Sequence, residues 1–265
     1  MIVRLQRAQL RHRERSIVVS DKIRQTEERL LLNTDRRIKV INPQEFPWST
    51  NGRLDLVSHI YEHGRYKIWV GSGFLIGKNK VLTAGHNLYD SDPNIYGGAN
   101  GRPKFVMFYP GKTGKSILYK SRAVSEDEGL IVHPQYQKAQ DQVHDMGLVI
   151  LRHNIGEKIG WVGIRALQDH EISGQKVRVT GYPGEIIPPF MYYMEGPVCR
   201  ITSDTIHYHV DTTPGQSGSG VTIVSDEEHE CIGVHVRGYN ENPINGNEAT
   251  RITKEKFNWL KALGL

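Results

Sequence analysis

One stretch of this sequence, Asp211-Thr212-Thr213-Pro214-Gly215-Gln216-Ser217-Gly218-Ser219-Gly220, holds a serine by its backbone between two β-type runs, Thr205–Val210 and Val221–Val224. Acyl transfer needs such a place. A hydroxyl must stand clear of its neighbours, and backbone N–H groups must point at the oxygen that becomes negative. Gly215 and Gly218 permit it, because glycine reaches dihedrals that a Cβ forbids. The same letters also suit a plain Gly/Ser hairpin loop, since turns are rich in both residues. Two upstream residues favour the chemistry. His86 closes Leu82-Thr83-Ala84-Gly85-His86, and Asp145 opens Asp145-Met146-Gly147-Leu148-Val149-Ile150-Leu151. An imidazole activates a serine by taking its proton, and a buried carboxylate holds the imidazole. Asp141 competes with Asp145 for that role, and Ser219 competes with Ser217. His207 and His209 alternate along one strand, as a metal pair would, but no third ligand has suitable spacing. They read as strand-surface residues, and no metal or organic cofactor is expected.

These residues need a scaffold. The chain has 265 residues, 38% hydrophobic and 24% charged, which is an ordinary globular composition with room for one large or two small cores. No apolar run is long enough to span a bilayer, and no secretory signal is visible at the start. The formal net charge is +5. Much of the excess lies in arginines between Arg4 and Arg15, which suggests a solvated basic arm. No aromatic-interleaved basic surface supports nucleic-acid binding. Cys199 and Cys231 are too few for a disulfide scaffold, and pairing and free thiols both stay open.

From Leu54 onward the chain is a series of short strand-length runs. They include Leu54–Ile60, Tyr66–Val70, Gly71–Gly77 turning at Lys78-Asn79-Lys80 into Val81–His86, Lys104–Tyr109, Leu118–Val124, Glu128–Val132 and the apolar Met146–Leu151. Asp90–Pro103 reads as a long surface loop. The second half continues with Lys176–Thr180, Met191–Met194, Gly196–Thr202, Thr205–Val210, Gly220–Val224 and Glu230–Val236. Many short strands between turn signals indicate an all-β barrel or sandwich. The one clear helix is the last. Thr253 can cap it, and Phe257, Leu260 and Leu263 share a face. A boundary between two β units falls near Asn154–Leu167.

The chain resembles the chymotrypsin-fold serine proteases, specifically their glutamyl endopeptidase-like branch. The pieces that carry this are Gly71–Ile76, Leu82–His86, Asp145–Val149, Gly215–Gly220 and Ile232–His235, in the family's order of His, Asp and Ser. The segment Ile131-Val132-His133-Pro134-Gln135-Tyr136 also looks like the one that precedes the family's catalytic aspartate. The resemblance covers roughly residues 50–262. It implies two six-stranded antiparallel β-barrels of chymotrypsin type with a C-terminal α-helix. Residues 35–155 would form the barrel carrying His and Asp, residues 156–265 the barrel carrying Ser, and residues 1–34 a basic extension. His86, Asp145 and Ser217 would be the catalytic triad, with the oxyanion hole formed by the N–H groups of Gly215 and Ser217.

The same resemblance places the substrate. It would lie as an added strand along Val234–Gly238, touching Val236 and Gly238. Thr212 and His235 match the positions that bind a substrate carboxylate in glutamyl endopeptidases, and Arg237 is a further donor. An acidic P1 residue is therefore expected. The continuation Val236-Arg237-Gly238 departs from the branch's usual Trp-Gly-Gly-like pattern, and a polar pocket indifferent to charge is the alternative. The family also implies secretion, a monomer acting on peptide or protein substrates, and a pro-segment over residues 1–29. The rivals are a trypsin-fold protease of other P1 preference and a non-catalytic interaction module on the same fold.

Overall fold

The computed structural model describes residues 35–98, 100–124, 129–224, 229–238 and 246–265. The basic extension over residues 1–34 and the suggested pro-segment lie outside them.

The chain enters through a two-residue strand, β1 (Ile38–Lys39), and then forms its first sheet from seven strands. These are β2 (Asn51–Glu62), β3 (Arg65–Leu75), β4 (Lys80–Thr83), β5 (Phe105–Pro110), β6 (Ser121–Val124), β7 (Leu130–Val132) and β8 (Gly147–Ile150). The spatial order is β6-β5-β2-β3-β4-β8-β7, and every pairing is antiparallel. A backbone bond from Arg152 N–H to Arg122 O, 3.0 Å, ties the segment after β8 to β6 and nearly closes the barrel. Alternation explains the inside. Leu54, Leu56, Val106, Phe108 and Val149 are all below 2% exposed and fill the barrel. Each fully buried leucine contributes about 1.5–3 kcal/mol relative to exposure.

The second sheet is built from β9 (Gly163–Ile164), β10 (Lys176–Gly181), β11 (Tyr192–Ile201), β12 (Thr205–Tyr208), β13 (Gly220–Ile223), β14 (Glu230–Arg237) and β15 (Asn247–Arg251), with β1 added at one side. Six of its strands form a closed antiparallel ring, β11-β10-β13-β14-β15-β12 and back to β11. The two remaining members, β1 and β9, are two-residue additions, and β9 runs parallel to β14. They raise the count from the expected six to eight. The all-β, two-barrel architecture is thus the one the resemblance implied, except that the first barrel has seven strands in place of six and the second carries two short additions.

Several details differ from expectation. Met191–Met194 and Gly196–Thr202 are one strand, β11, which runs straight through Pro197 and carries a bulge between Val198 and Arg200. The Pro197 side chain is exposed and its carbonyl accepts from His209 N–H at 3.2 Å. A proline is tolerated next to such a bulge because it needs no ladder donor there. Strand β15 was not anticipated. The loop after His86 contains a helical turn, Pro93–Tyr96, whose cap Asp92 accepts from Asn94 N–H at 2.9 Å. Cys199 on β11 and Cys231 on β14 are not bonded to each other, since β10 and β13 stand between their strands.

A cluster of apolar side chains from both sheets joins the barrels. Phe74, Leu82, Met146 and Leu148 of the first pack with Val234, Val236 and Ile252 of the second, and Leu260 of the C-terminal helix Lys254–Ala262 completes the contact. Thr253 caps that helix as expected, its hydroxyl accepting from Lys256 N–H at 3.3 Å. This seam fixes the relation between the loops that carry His86, Asp145 and Ser217. Among the described residues no helix is long and apolar enough to cross a membrane.

Candidate active site

His86 sits in a 3-10 turn, Gly85–Asn87, just after β4. The turn is held from below. Tyr96 donates its hydroxyl to Asn87 O at 2.8 Å and lies 3.2 Å from His86 O. Asp145 follows a second 3-10 turn, Gln142–His144, and precedes β8. Because β4 and β8 are adjacent, the two turns meet. Asp145 Oδ1 accepts from the backbone N–H of His86 at 2.8 Å, and Oδ2 lies 2.7 Å from His86 Nδ1. A carboxylate accepts, so Nδ1 carries the proton and Nε2 is left with its lone pair. Asp145 is 5% exposed, and its own carbonyl accepts from Thr250 of β15 at 3.2 Å. The second barrel therefore helps to hold the carboxylate. Burial disfavours a charged His86 ring, but the Asp145 carboxylate outweighs burial, and the imidazole pKa is raised.

The serine turn closes on itself through Gln216 N–H to Thr213 O, 3.1 Å, and Ser219 N–H to Gln216 O, 3.0 Å. Ser217 is pinned from the first barrel. Its carbonyl accepts from Ser72 N–H of β3 at 2.8 Å and from Asn87 Nδ2 at 2.9 Å. Asn87 is the residue after His86, so the hinge between the two turns is one side-chain amide long. Gly218 has φ of +90°, and a Cβ there would collide with Thr83 Oγ1 and Ser72 O. Gly215 has φ of +99°, and a Cβ would sit 2.5 Å from Gly184 N. Both positions demand glycine, for backbone conformation and for space together.

A model of the trypsin-like peptidase domain matches residues 71–234, which contain His86, Asp145 and Ser217. The chain belongs to the trypsin-like peptidase family. It is 28% identical over 234 residues to a glutamyl endopeptidase of Bacillus licheniformis, covering 87% of this chain and 67% of that one. It is 26% identical over 231 residues to a Bacillus subtilis protein named extracellular metalloprotease, covering 86% and 67%. Among solved structures, a Glu endopeptidase has a TM-score of 0.70 at 23% identity, covering 87% of this chain and 97% of that one. The match spans about two thirds of the two curated relatives. As a member of this family the protein is a serine-type peptidase. Among the described residues no three His, Cys, Asp or Glu side chains are grouped to hold a metal ion.

Of the rival residues in this trypsin-like peptidase, the aspartate is engaged elsewhere and the serine is enclosed. Asp141 caps the 3-10 turn, accepting from Val143 N–H at 3.3 Å, and its other oxygen lies 2.9 Å from His144 Nδ1. Ser219 is fully buried, whereas Ser217 is half-buried. His209 is exposed, but His207 is not the surface residue expected. It is 8% exposed, with Nε2 3.0 Å from the Thr205 hydroxyl, because β12 lies between β11 and β15.

The expected substrate-binding residues gather on one side of the serine turn. His235 N–H donates to Ser219 O at 2.9 Å and His235 O accepts from Gly218 N–H at 2.7 Å. Strand β13 begins at Gly220 opposite Val234, and Val236, Arg237 and Gly238 continue past the serine turn. His235 is 2% exposed, and its Nδ1 lies 2.8 Å from the Tyr208 hydroxyl. Burial and then the neighbouring His86 push its pKa down to about 3. Thr212 Oγ1 accepts from Asn247 Nδ2 at 3.0 Å. A Cβ on Gly238 would be 3.4 Å from Thr212 Oγ1, so glycine keeps that space open. Val236 is buried in the seam between the barrels. The positive charge of Arg237 is close enough to disfavour protonation of His86.

Sequence reading missed the residues that hold these groups. Ser72, Asn87, Tyr208 and Asn247 make the bonds just described. The Asp35–Arg37 arm also docks on the serine turn, with Arg36 paired to Asp211 at 3.2 Å. Asn87 directly follows the histidine motif, and Ser72 lies within the Gly-Ser-Gly run, so both stood beside recognised residues. Nothing local marks the other two or the partners of the arm, which are distant in sequence.

Proposed function

We propose that this trypsin-like peptidase hydrolyses peptide bonds through an ester on Ser217 and prefers an acidic residue at P1. The observation that carries the chemistry is the 2.7 Å contact of His86 Nδ1 with Asp145 Oδ2, beside a serine turn tied to Asn87. Ser217 Oγ attacks the carbonyl carbon while His86 Nε2 takes the hydroxyl proton. Asp145 keeps the imidazole in its tautomer and stabilises the imidazolium without taking the proton. The oxyanion is received by the N–H groups of Gly215 and Ser217, each worth about 3–4 kcal/mol in the transition state. His86 then gives the proton to the amine nitrogen as the C–N bond breaks, and water repeats the sequence on the ester. This chemistry calls on no metal or organic cofactor.

The acidic preference rests on two donors. The Tyr208 hydroxyl is buried 2.8 Å from His235 Nδ1; in the tautomer proposed here the hydroxyl donates to Nδ1 and the ring proton sits on Nε2. The Thr212 oxygen already accepts from Asn247, so its hydroxyl proton is available to a ligand. A neutral imidazole N–H and a hydroxyl can bind a carboxylate without stranding a buried charge when the pocket is empty. The likeness to a named glutamyl endopeptidase supports the same reading. Paired peptides with Glu or Gln at P1, cleaved by the wild type and by Ser217→Ala, test it. Equal rates for Glu and Gln remove the acidic preference. Unchanged cleavage by Ser217→Ala removes the mechanism.

A further inference from the structure

We infer that Arg37 is a positioning residue for the oxyanion hole: its guanidinium, reaching from the arm ahead of the first barrel, locks the peptide on either side of Gln216. The inference rests on the reading of Ser217 as nucleophile.

The Arg37 side chain is 1% exposed. A buried guanidinium is costly unless every N–H finds an acceptor. Here all five do. Nε donates to Asp35 Oδ1 at 2.9 Å, and Nη2 donates to Asp35 Oδ2 and to Glu185 Oε1, each at 2.8 Å. Nη1 donates to Thr213 Oγ1 at 2.6 Å and to Gln216 Oε1 at 3.0 Å. Burial alone would lower the arginine pKa, but pairing with Asp35 and Glu185 wins and raises it, so the charge is permanent.

The acceptors are what give this cation a task. Gln216 Oε1 also accepts from Thr213 N–H at 3.0 Å, and Thr213 Oγ1 donates to Glu185 at 2.8 Å. Gly184 N–H donates to Pro214 O at 2.8 Å and backs the same turn. Gln216 stands between Gly215 and Ser217, whose N–H groups are the proposed oxyanion donors. The Ser217 N–H belongs to the Gln216–Ser217 peptide, so fixing Gln216 at its side chain fixes the aim of that donor. Arg37 is 179 residues from Gln216 in sequence, and no other described cation donates to that side chain. Lysine could not substitute, because a single ammonium cannot span the fork from Asp35 to Gln216.

The test uses the full chain with Arg37→Ala and Arg37→Lys, a Glu-P1 peptide substrate, circular-dichroism melts and methylguanidinium. Misaiming an oxyanion donor by about 1 Å costs on the order of 100-fold in kcat. The expected result is a folded Arg37→Ala protein with that loss in kcat and KM within about twofold. Methylguanidinium should restore part of kcat in Arg37→Ala and leave the wild type unchanged. A folded Arg37→Ala with wild-type kcat overturns the inference. If Arg37→Ala does not fold, Arg37→Lys decides: reduced kcat at unchanged KM supports the role, and wild-type kcat overturns it. Failure of both variants to fold assigns Arg37 to stability alone and also overturns it. A wild type that neither cleaves the peptide nor takes a fluorophosphonate on Ser217 would instead defeat the underlying reading of the site.

Discussion

Asp145 grips His86 twice, once at the ring and once at the backbone, with Oδ2 2.7 Å from Nδ1 and Oδ1 2.8 Å from the main-chain N–H. A double grip fixes the ring's position and its tautomer together, which one contact alone would not do.

Asp145→Asn separates these effects. The amide keeps the shape but can present N–H to Nδ1, which moves the ring proton to Nε2. Turnover should fall by about 10,000-fold, the size of this effect in the general Ser-His-Asp arrangement, with the melting temperature little changed. Kinetics and a thermal melt on the same preparation check it. A loss below tenfold in a folded variant would mean that Asp145 does not set the tautomer.

The pH profile follows from the raised imidazole. His86 acts as a base only when unprotonated, and its pKa lies above the ordinary value of 6.5. Activity should therefore be lost as pH falls through a value above 6.5, and kcat/KM against pH should show that limb. His235, held near 3, stays neutral throughout this range and adds no second step. A limb below 6.5 would contradict the grip of Asp145 on the ring.

Thr212→Val tests the pocket. The change keeps the shape and removes the hydroxyl that is proposed to face the P1 carboxylate. A hydrogen bond to a charged group is worth about 1.5–3 kcal/mol, so kcat/KM for a Glu-P1 peptide should fall by about 10- to 100-fold. The Gln-P1 peptide should lose less, so the ratio between the two substrates narrows. An unaltered ratio would place P1 recognition elsewhere.

His86 and Asp145 stood out as candidates because one ends and the other opens a run of clear strand character, and Ser217 because its Gly-rich turn lies between two such runs. The turns that carry His86 and Asp145 meet because β4 and β8 pair, a consequence of two apolar runs seeking the same core. Strand β15 was hidden because Asn247-Glu248-Ala249 has little β propensity of its own. It is a strand by tertiary contact, paired to β12 on one side and β14 on the other. Strands β1 and β9 are two residues long and leave no periodic trace. Arg37 lies just ahead of the first barrel and carries no local mark of a role. Only the folded chain reveals that Thr213, Gln216 and Glu185 supply its acceptors.

Covalent labelling at the serine turn tests the central claim most directly. Folded wild-type protein treated with a fluorophosphonate and mapped by mass spectrometry should carry one adduct, on Ser217. His86→Ala should take up the label far more slowly. An adduct on Ser219 instead, or none on folded protein, would contradict the assignment of Ser217 as the nucleophile that His86 activates.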